Sequence, residues 1–285
     1  MKRILLFLVV LPLNLFANNL PAYYPQNFKQ QILKNSNDEN IKESLRKVLT
    51  SAHLIRKGQA DTLIEHCGNH PKAKCYRRKV LSYRQARKIL FGKLHLKQNK
   101  NGFYIKDVYC NKMYGPGQEH PLKVGPGIIP PHVTLNCEHT WPQAKFSSRY
   151  SDKTQVSDLH HLYPSNSRAN STRGHFNFAN VEGQVVANDC TASSIGSPQR
   201  QSLFRDYHFQ PPKNHKGNVA RSIFYFSVRY ELPIDPVEEN FLRQWHSEDP
   251  VDAEEMARNN AIQKAQGNRN PFIDMPQLID RINNF

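Results

Sequence analysis

The stretch richest in reactive side chains reads Asn136-Cys137-Glu138-His139-Thr140-Trp141-Pro142-Gln143. It is followed by Ser157-Asp158-Leu159-His160-His161-Leu162-Tyr163-Pro164 and by Asn170-Ser171-Thr172-Arg173-Gly174. Successive side chains of a strand point to opposite faces, so Glu138 and His139 cannot share one. At a strand end or in a loop, however, the carboxylate can hold a cation while the imidazole addresses a water or a substrate. Hydrolysis of a phosphodiester needs those two functions together: a base to deprotonate water, and a hard cation to offset charge on the phosphoryl and leaving oxygens. One Glu carboxylate and one Asn amide oxygen form an all-oxygen partial shell, which suits Mg²⁺ completed by waters and phosphate. A neutral imidazole, with an unperturbed pKa of about 6.5, serves as a base near neutral pH. A lone Glu-His pair is a weak signal, an isolated His160-His161 reads first as a core feature, and the zinc-protease pattern HExxH is absent.

The whole arrangement is more specific than its parts. With Arg173-Gly174-His175-Phe176 and a last block, Gln266-Gly267-Asn268-Arg269-Asn270-Pro271-Phe272, the blocks in this order resemble the bacterial endonuclease I family of periplasmic and secreted nucleases. The resemblance extends over about Ile41 to Asp274. It implies a ββα-metal (His-Me) finger inside a mixed α+β domain with several helices around it. It also implies that His139 is the general base and that Glu138 and Asn170 bind one Mg²⁺, a site Mn²⁺ or Ca²⁺ could occupy. The implied activity is nonspecific cleavage of double- and single-stranded DNA, and often RNA, to 5′-phosphate ends.

The chain departs from that family in places. The family's better-known members carry a long insertion after the Glu-His block, with an arginine that contacts phosphate; here only Lys145 to Val156 fills the gap, and Arg149 is the nearest candidate. Arg173 either braces the metal helix or touches phosphate, with bracing preferred. His160 either orients a metal-bound water or makes core hydrogen bonds. Trp141-Pro142 reads as packing that directs His139, and Asn268 to Asn270 as a structural turn. His175-Phe176 replaces the family's Asn-Phe.

Elements to carry these residues can be read on both sides. Ile41, Leu45, Val48 and Leu49 stand at helical spacing behind Ser36, Asn37 and Asp38, and predict a helix over about Asp38 to Leu49. A second helix is expected from about Tyr76 to Phe91, with Val80, Tyr83, Ala86 and Leu90 on its apolar side and an almost purely basic polar face. Phe103 to Cys110 alternates as a strand, and Gly115 to Pro131 is so rich in Gly and Pro that it reads as loop. Val219, Ile223, Phe226 and Tyr230 form a core-facing helical stripe, and Asp235-Pro236 and Asp249-Pro250 each read as a cap with proline at the first helical position. Gly267 closes the last of these helices. Asn136 to Cys190 shows little periodicity, so the coarse class is α+β with irregular central machinery.

Composition bounds the setting. Lys plus Arg exceed Asp plus Glu by 15, and the stretch from His66 to Lys106 holds twelve basic residues and no acidic one. That reads either as a footprint for a polyanion or as a solvated basic surface; charge names only the partner's sign, and anionic lipid or envelope polysaccharide would be drawn as well as the DNA and RNA that the resemblance implies. Lys2 and Arg3, the apolar run Ile4 to Phe16 and a small residue at Ala17 lay out a signal peptide over 1–17, too short to span a membrane. A monomeric nuclease domain over 18–285, periplasmic or secreted and not inserted in a membrane, is the expectation. The five cysteines are an odd set in an oxidising compartment. Cys67 and Cys75 suggest a local bridge, the other three have no assignable pairing, and the lack of a CxxC pair argues against a zinc ribbon. The rival reading is an exported DNA-binding protein without catalysis, which needs neither the Glu-His pair nor Asn170.

Overall fold

Residues 20–34, 38–199 and 207–285 are described by the structure, a computed structural model; the expected leader, residues 1–17, lies outside them. Contacts divide the chain between Arg77 and Arg78 into two compact units. In the first, helices α1 (Gln26–Leu33) and α2 (Asp38–Thr50) precede short antiparallel strands β1 (Ala52–Leu54), β2 (Thr62–Ile64) and β3 (Cys75–Tyr76), ordered β2-β1-β3. Ile41, Leu45, Val48 and Leu49 are all buried, as their spacing on one helical face requires. Cys67 and Cys75 form the expected local disulfide.

The second unit begins with α3 (Tyr83–Ile89), which continues into a π turn over Leu90–Leu94. The helix predicted from Tyr76 thus starts seven residues later than the periodicity suggested. Ser82 accepts from the Gln85 amide while the Gln85 side chain accepts from the Ser82 amide, and this reciprocal cap sets the first turn. Val80, expected on the apolar face, is exposed as a result. Next comes an antiparallel sheet of β4 (Leu96–Asn99), β5 (Gly102–Lys106) and β6 (Met113–Tyr114). The strand predicted to Cys110 stops at Lys106 because the Asp107 carboxylate accepts from the amides of Tyr109, Cys110 and Lys112 and turns the chain. Gly115 to Pro131 is loop, as its composition implies, with only a single bridge between His120 and Tyr114.

The central stretch runs through β7 (Leu135–His139), α4 (Asp152–Val156), β8 (Leu162–Asn166) and α5 (Ser167–Arg173). Strands β7 and β8 pair antiparallel, with Glu138 opposite Tyr163 and His139 opposite Leu162. Asn166 caps α5 by accepting from the Ala169 amide, and Gly174, at φ 53°, ends it. A third sheet, β9 (Val181–Ala187), β10 (Cys190–Pro198) and β11 (His208–Gln210), has β10 in the middle. Cys190 is bonded to Cys110, and Cys137 is free and buried.

Four helices follow: α6 (Lys216–Tyr230), α7 (Pro236–Glu248), α8 (Ala253–Gln266) and the short α9 (Pro271–Asp274). The Val219, Ile223, Phe226 and Tyr230 stripe of α6 is buried. Asp235 caps α7 as expected, but Asp249 stands at the C-terminal end of that helix rather than opening the next, and its side chain accepts from the Gly217 amide. Asp252 takes the α8 cap by accepting from Glu255, and Gly267, at φ 91°, ends that helix. The fold is α+β, as the sequence implied. One apolar cluster joins Phe91 of the π turn, Ile105 of β5, Leu135 and Cys137 of β7, Leu162 of β8 and Ile262 of α8. It fixes one face of the β7–β8 pair and leaves the other for polar residues.

Candidate active site

Glu138, the penultimate residue of β7, is only 3% exposed. Its Oε1 accepts the Tyr109 hydroxyl at 2.8 Å and lies 3.0 Å from Arg173 Nη1. Arg173 ends α5 and closes a clamp: Nη1 donates to the His139 carbonyl at 3.0 Å and Nη2 to the Thr140 carbonyl at 2.6 Å. Its guanidinium lies 4.5 Å from the centre of the Phe178 ring. A planar guanidinium fork spreads its donors over separate nitrogens and so reaches acceptors too far apart for one compact ammonium. Burial raises the Glu138 carboxyl above its ordinary range, opposed by Arg173 and then by the Tyr109 hydroxyl. Burial and the adjacent Glu138 hold the Tyr109 phenol well above its own range, so it stays a donor. With both partners on Oε1, Oε2 makes no hydrogen bond among the described residues.

His139 ends the strand. Its Nε2 stands 3.1 Å from the Val156 carbonyl and its Nδ1 3.2 Å from the Gln143 side-chain amide nitrogen. A carbonyl only accepts, so Nε2 carries the proton and Nδ1 keeps a lone pair, which the Gln143 amide donates to. Tyr83, His161 and Phe146 surround the ring, with centroids at 5.6, 5.3 and 6.3 Å. Burial lowers the imidazole to about 4 against the opposing Val156 bond, and Arg173 adds to the fall. The ring is therefore neutral near pH 7.

Adjacent strand residues point apart, yet both line one pocket of about 370 Å³, because the strand stops at His139 and the chain turns. Asn170 joins them from α5, one turn before Arg173, with Gln143, Ser171 and His175 on the same wall. The Asn170 side chain makes no hydrogen bond among the described residues. Nor, among those residues, does any group of three or more His, Cys, Asp or Glu stand together as a metal cluster. What the pocket offers is one open carboxylate oxygen and one amide oxygen. That set fits a hard cation that keeps most of its waters, and does not fit an ion that demands several nitrogen or sulfur ligands.

The structure thus brings Glu138, His139, Asn170 and Arg173 together, and keeps two other candidates apart. The Arg149 side chain is 74% exposed and pairs with Glu231 at 3.7 Å. His160 is wholly buried, its Nε2 3.2 Å from the Asn268 carbonyl and its ring 4.6 Å from that of Tyr225. Neither lines the pocket. Trp141 packs inward, stacked on Phe226 with its indole nitrogen donating to the Lys145 carbonyl. Asn268 and Asn270 bind Tyr225 and the Arg221 carbonyl and hold a turn.

Tyr109, Gln143 and Val156 complete the arrangement and were not singled out from the motifs. Gln143 was findable as the end of the Glu-His-Thr-Trp-Pro-Gln run; Tyr109 and Val156 act from distant segments and carry no local sign. Of the basic residues expected to face a polyanion, Arg84 and Lys88 of α3 are exposed. Arg78 is withdrawn from that footprint: it is buried 3.3 Å from Asp158, which Tyr225, Tyr230 and Arg229 also engage.

The family model for endonuclease I matches residues 38–277. An extracellular ribonuclease of Bacillus subtilis (strain 168) is 33% identical over 165 residues, 52% of this chain and 53% of that protein. An extracellular deoxyribonuclease of Aeromonas hydrophila is 32% identical over 118 residues, 41% of this chain and 48% of that protein. A periplasmic deoxyribonuclease of the same organism is 30% identical over 118 residues, 41% and 47% of the two chains. The chain spans about half the length of these curated relatives.

Proposed function

The chain belongs to the endonuclease I family, and from that premise we propose that it is an exported, Mg²⁺-dependent endonuclease. It hydrolyses double- and single-stranded DNA, and RNA, with little sequence preference and leaves 5′-phosphate ends. The observation that carries this reading is the common pocket of Glu138, His139 and Asn170. Relatives named as both ribonucleases and deoxyribonucleases agree with a broad substrate range. Two disulfides suit an oxidising compartment, and no helix among the described residues is long and apolar enough to cross a membrane. In this reading residues 1–17 are removed on export, and residues 18–285 work as one monomeric nuclease domain.

Glu138 Oε2 and the Asn170 amide oxygen would hold the cation, which when bound offsets charge on the phosphoryl and leaving oxygens. His139 takes the proton of the attacking water on Nδ1, and its Nε2–H bond to Val156 keeps the ring aimed as positive charge develops. Gln143, exposed and hydrogen-bonded to Nδ1, must swing away before a water can take its place. Arg173 holds the strand end and the carboxylate without leaving its clamp. Arg84 and Lys88 lie on the helix whose first residue, Tyr83, lines the pocket, and they attract the phosphate backbone regardless of sequence. Plasmid digestion with Mg²⁺ and with EDTA tests the reading, together with ligation of the products without prior kinase treatment. Absence of cleavage with any divalent ion would overturn it, and undiminished cleavage in EDTA would remove the metal.

A further inference from the structure

The chain leaving α5 carries a row of rings along the edge of the pocket. His175 lines the pocket itself, and its ring stacks on Phe176 with centroids 5.8 Å apart and planes at 25°. Phe176 in turn faces Tyr207, 6.2 Å away at 54°. Two residues further on, Phe178 is fully buried in the core, whereas Tyr207 is 57% exposed and His175 is open to solvent as well. These are aromatic-pair distances, so the rings order one another while much of their surface faces water. A cation stands beside them: Lys145 donates to the side chain of Asn177, the residue after Phe176.

We propose that His175, Phe176 and Tyr207 form a stacking platform for an unpaired nucleobase beside the reacting phosphate, and that the site therefore takes single strands in preference to duplex. The proposal rests on the nuclease reading of the same pocket. A base in a duplex is already stacked on both faces and cannot lie on a protein ring, whereas a splayed base can. Every base has a π face, so such a platform adds affinity for single strands without adding sequence preference. Lys145 is placed to meet a backbone phosphate next to the stacked base, which gives the platform its charge complement. Because His175 belongs to both the row and the pocket, the stacked base is a near neighbour of the phosphate under attack.

The test measures binding of a short fluorescently labelled single-stranded oligodeoxynucleotide by anisotropy. One version is intact and one carries abasic residues throughout. His139→Ala protein is used so that the strand survives, with and without Tyr207→Ala; Tyr207 is exposed, so its removal opens no core. Tyr207→Ala should weaken the intact strand by about five- to a hundredfold, the range of one base-aromatic stack. It should leave the abasic strand within about twofold, and Tyr207→Trp should restore the loss. Equal losses on both strands, or none on the intact one, overturn the platform. In parallel, otherwise unmodified protein is assayed for cleavage with Mg²⁺. If it cuts nothing, the nuclease reading fails on its own account, while the intact-to-abasic ratio still decides the platform.

Discussion

His139 donates its Nε2 proton to the main-chain carbonyl of Val156, 3.1 Å away, so that Nδ1 is the nitrogen left to accept a proton. Val156 ends α4, in the segment that joins β7 to β8, so a backbone group sets the tautomer of His139. Replacing the ring removes the proton acceptor without touching the basic surface. His139→Ala should therefore lower kcat by about 10²- to 10⁴-fold, the usual contribution of a positioned base, with DNA affinity little changed. Single-turnover cleavage alongside a binding titration checks this, and a variant that cuts at the normal rate would remove His139 from the mechanism.

Arg173 serves three acceptors from a fully buried position: Glu138 Oε1 and the carbonyls of His139 and Thr140. Arg173→Ala would leave a buried carboxylate without its cation and two carbonyls without donors, a loss of about 3–5 kcal/mol by analogy with broken buried pairs. Arg173→Lys keeps the charge but not the fork, and should recover less than half of that. Urea unfolding measures both; a shift under about 1 kcal/mol for Arg173→Ala would contradict the bracing role.

Much of this was legible before the structure. The helices at Ile41 to Leu49 and Val219 to Tyr230 carry strong periodic burial, and the Cys67–Cys75 bridge follows from short spacing. Where local chemistry competed with periodicity, it won: Ser82 and Gln85 moved the start of α3, Asp107 cut β5 short, and Asp252 displaced Asp249 as the α8 cap. Glu138 and His139 stood out by residue type, while Asn170 came forward almost wholly through resemblance. Tyr109 reaches Glu138 across 29 positions, and a contact of that range has no periodic signature. The sheet of β9 to β11 also lies in a stretch whose alternation is broken by a register shift between Cys190 and Ser194.

With Oε1 of Glu138 already engaged, a cation in the proposed site would rest on Oε2 and Asn170, and two protein ligands would hold it weakly. Chelation should abolish cleavage, and added Mg²⁺ should restore it fully. Glu138→Gln keeps the shape of the side chain but loses its charge. It should raise the Mg²⁺ concentration for half-maximal activity by at least about tenfold, since even outer partners of a ligand act in that range. A Mg²⁺ titration of both proteins decides, and an unchanged midpoint would take Glu138 out of the metal site.

Cys137, in the middle of β7, is the only free thiol among the described cysteines, and it is buried. A thiol reagent should label nothing in the native protein and one cysteine after unfolding without reductant. The Cys110–Cys190 bond closes a long loop around the strands that carry the site. Its removal by paired serine substitution should cost about 2–5 kcal/mol. Mass spectrometry of labelled peptides, followed by thermal unfolding, reads both results.

Glu238, in the first turn of α7, accepts the Phe178 amide at 2.9 Å and is buried near Lys145 and Arg173. Burial lifts its carboxyl to about 7, against the pull of the Phe178 bond and the two cations. The folded state therefore holds the proton more tightly than the unfolded chain, whose value stays near 4.5. Its contribution to stability is complete below about pH 4.5 and is lost as pH rises through about 7, a change of at most about 3 kcal/mol. Glu238→Gln carries no titratable proton and should lose this component of the pH profile, gaining stability relative to the parent above pH 7. Denaturant unfolding of both proteins at intervals from pH 4 to 8 tests it. Parallel profiles would mean that Glu238 ionises alike in the folded and unfolded chain.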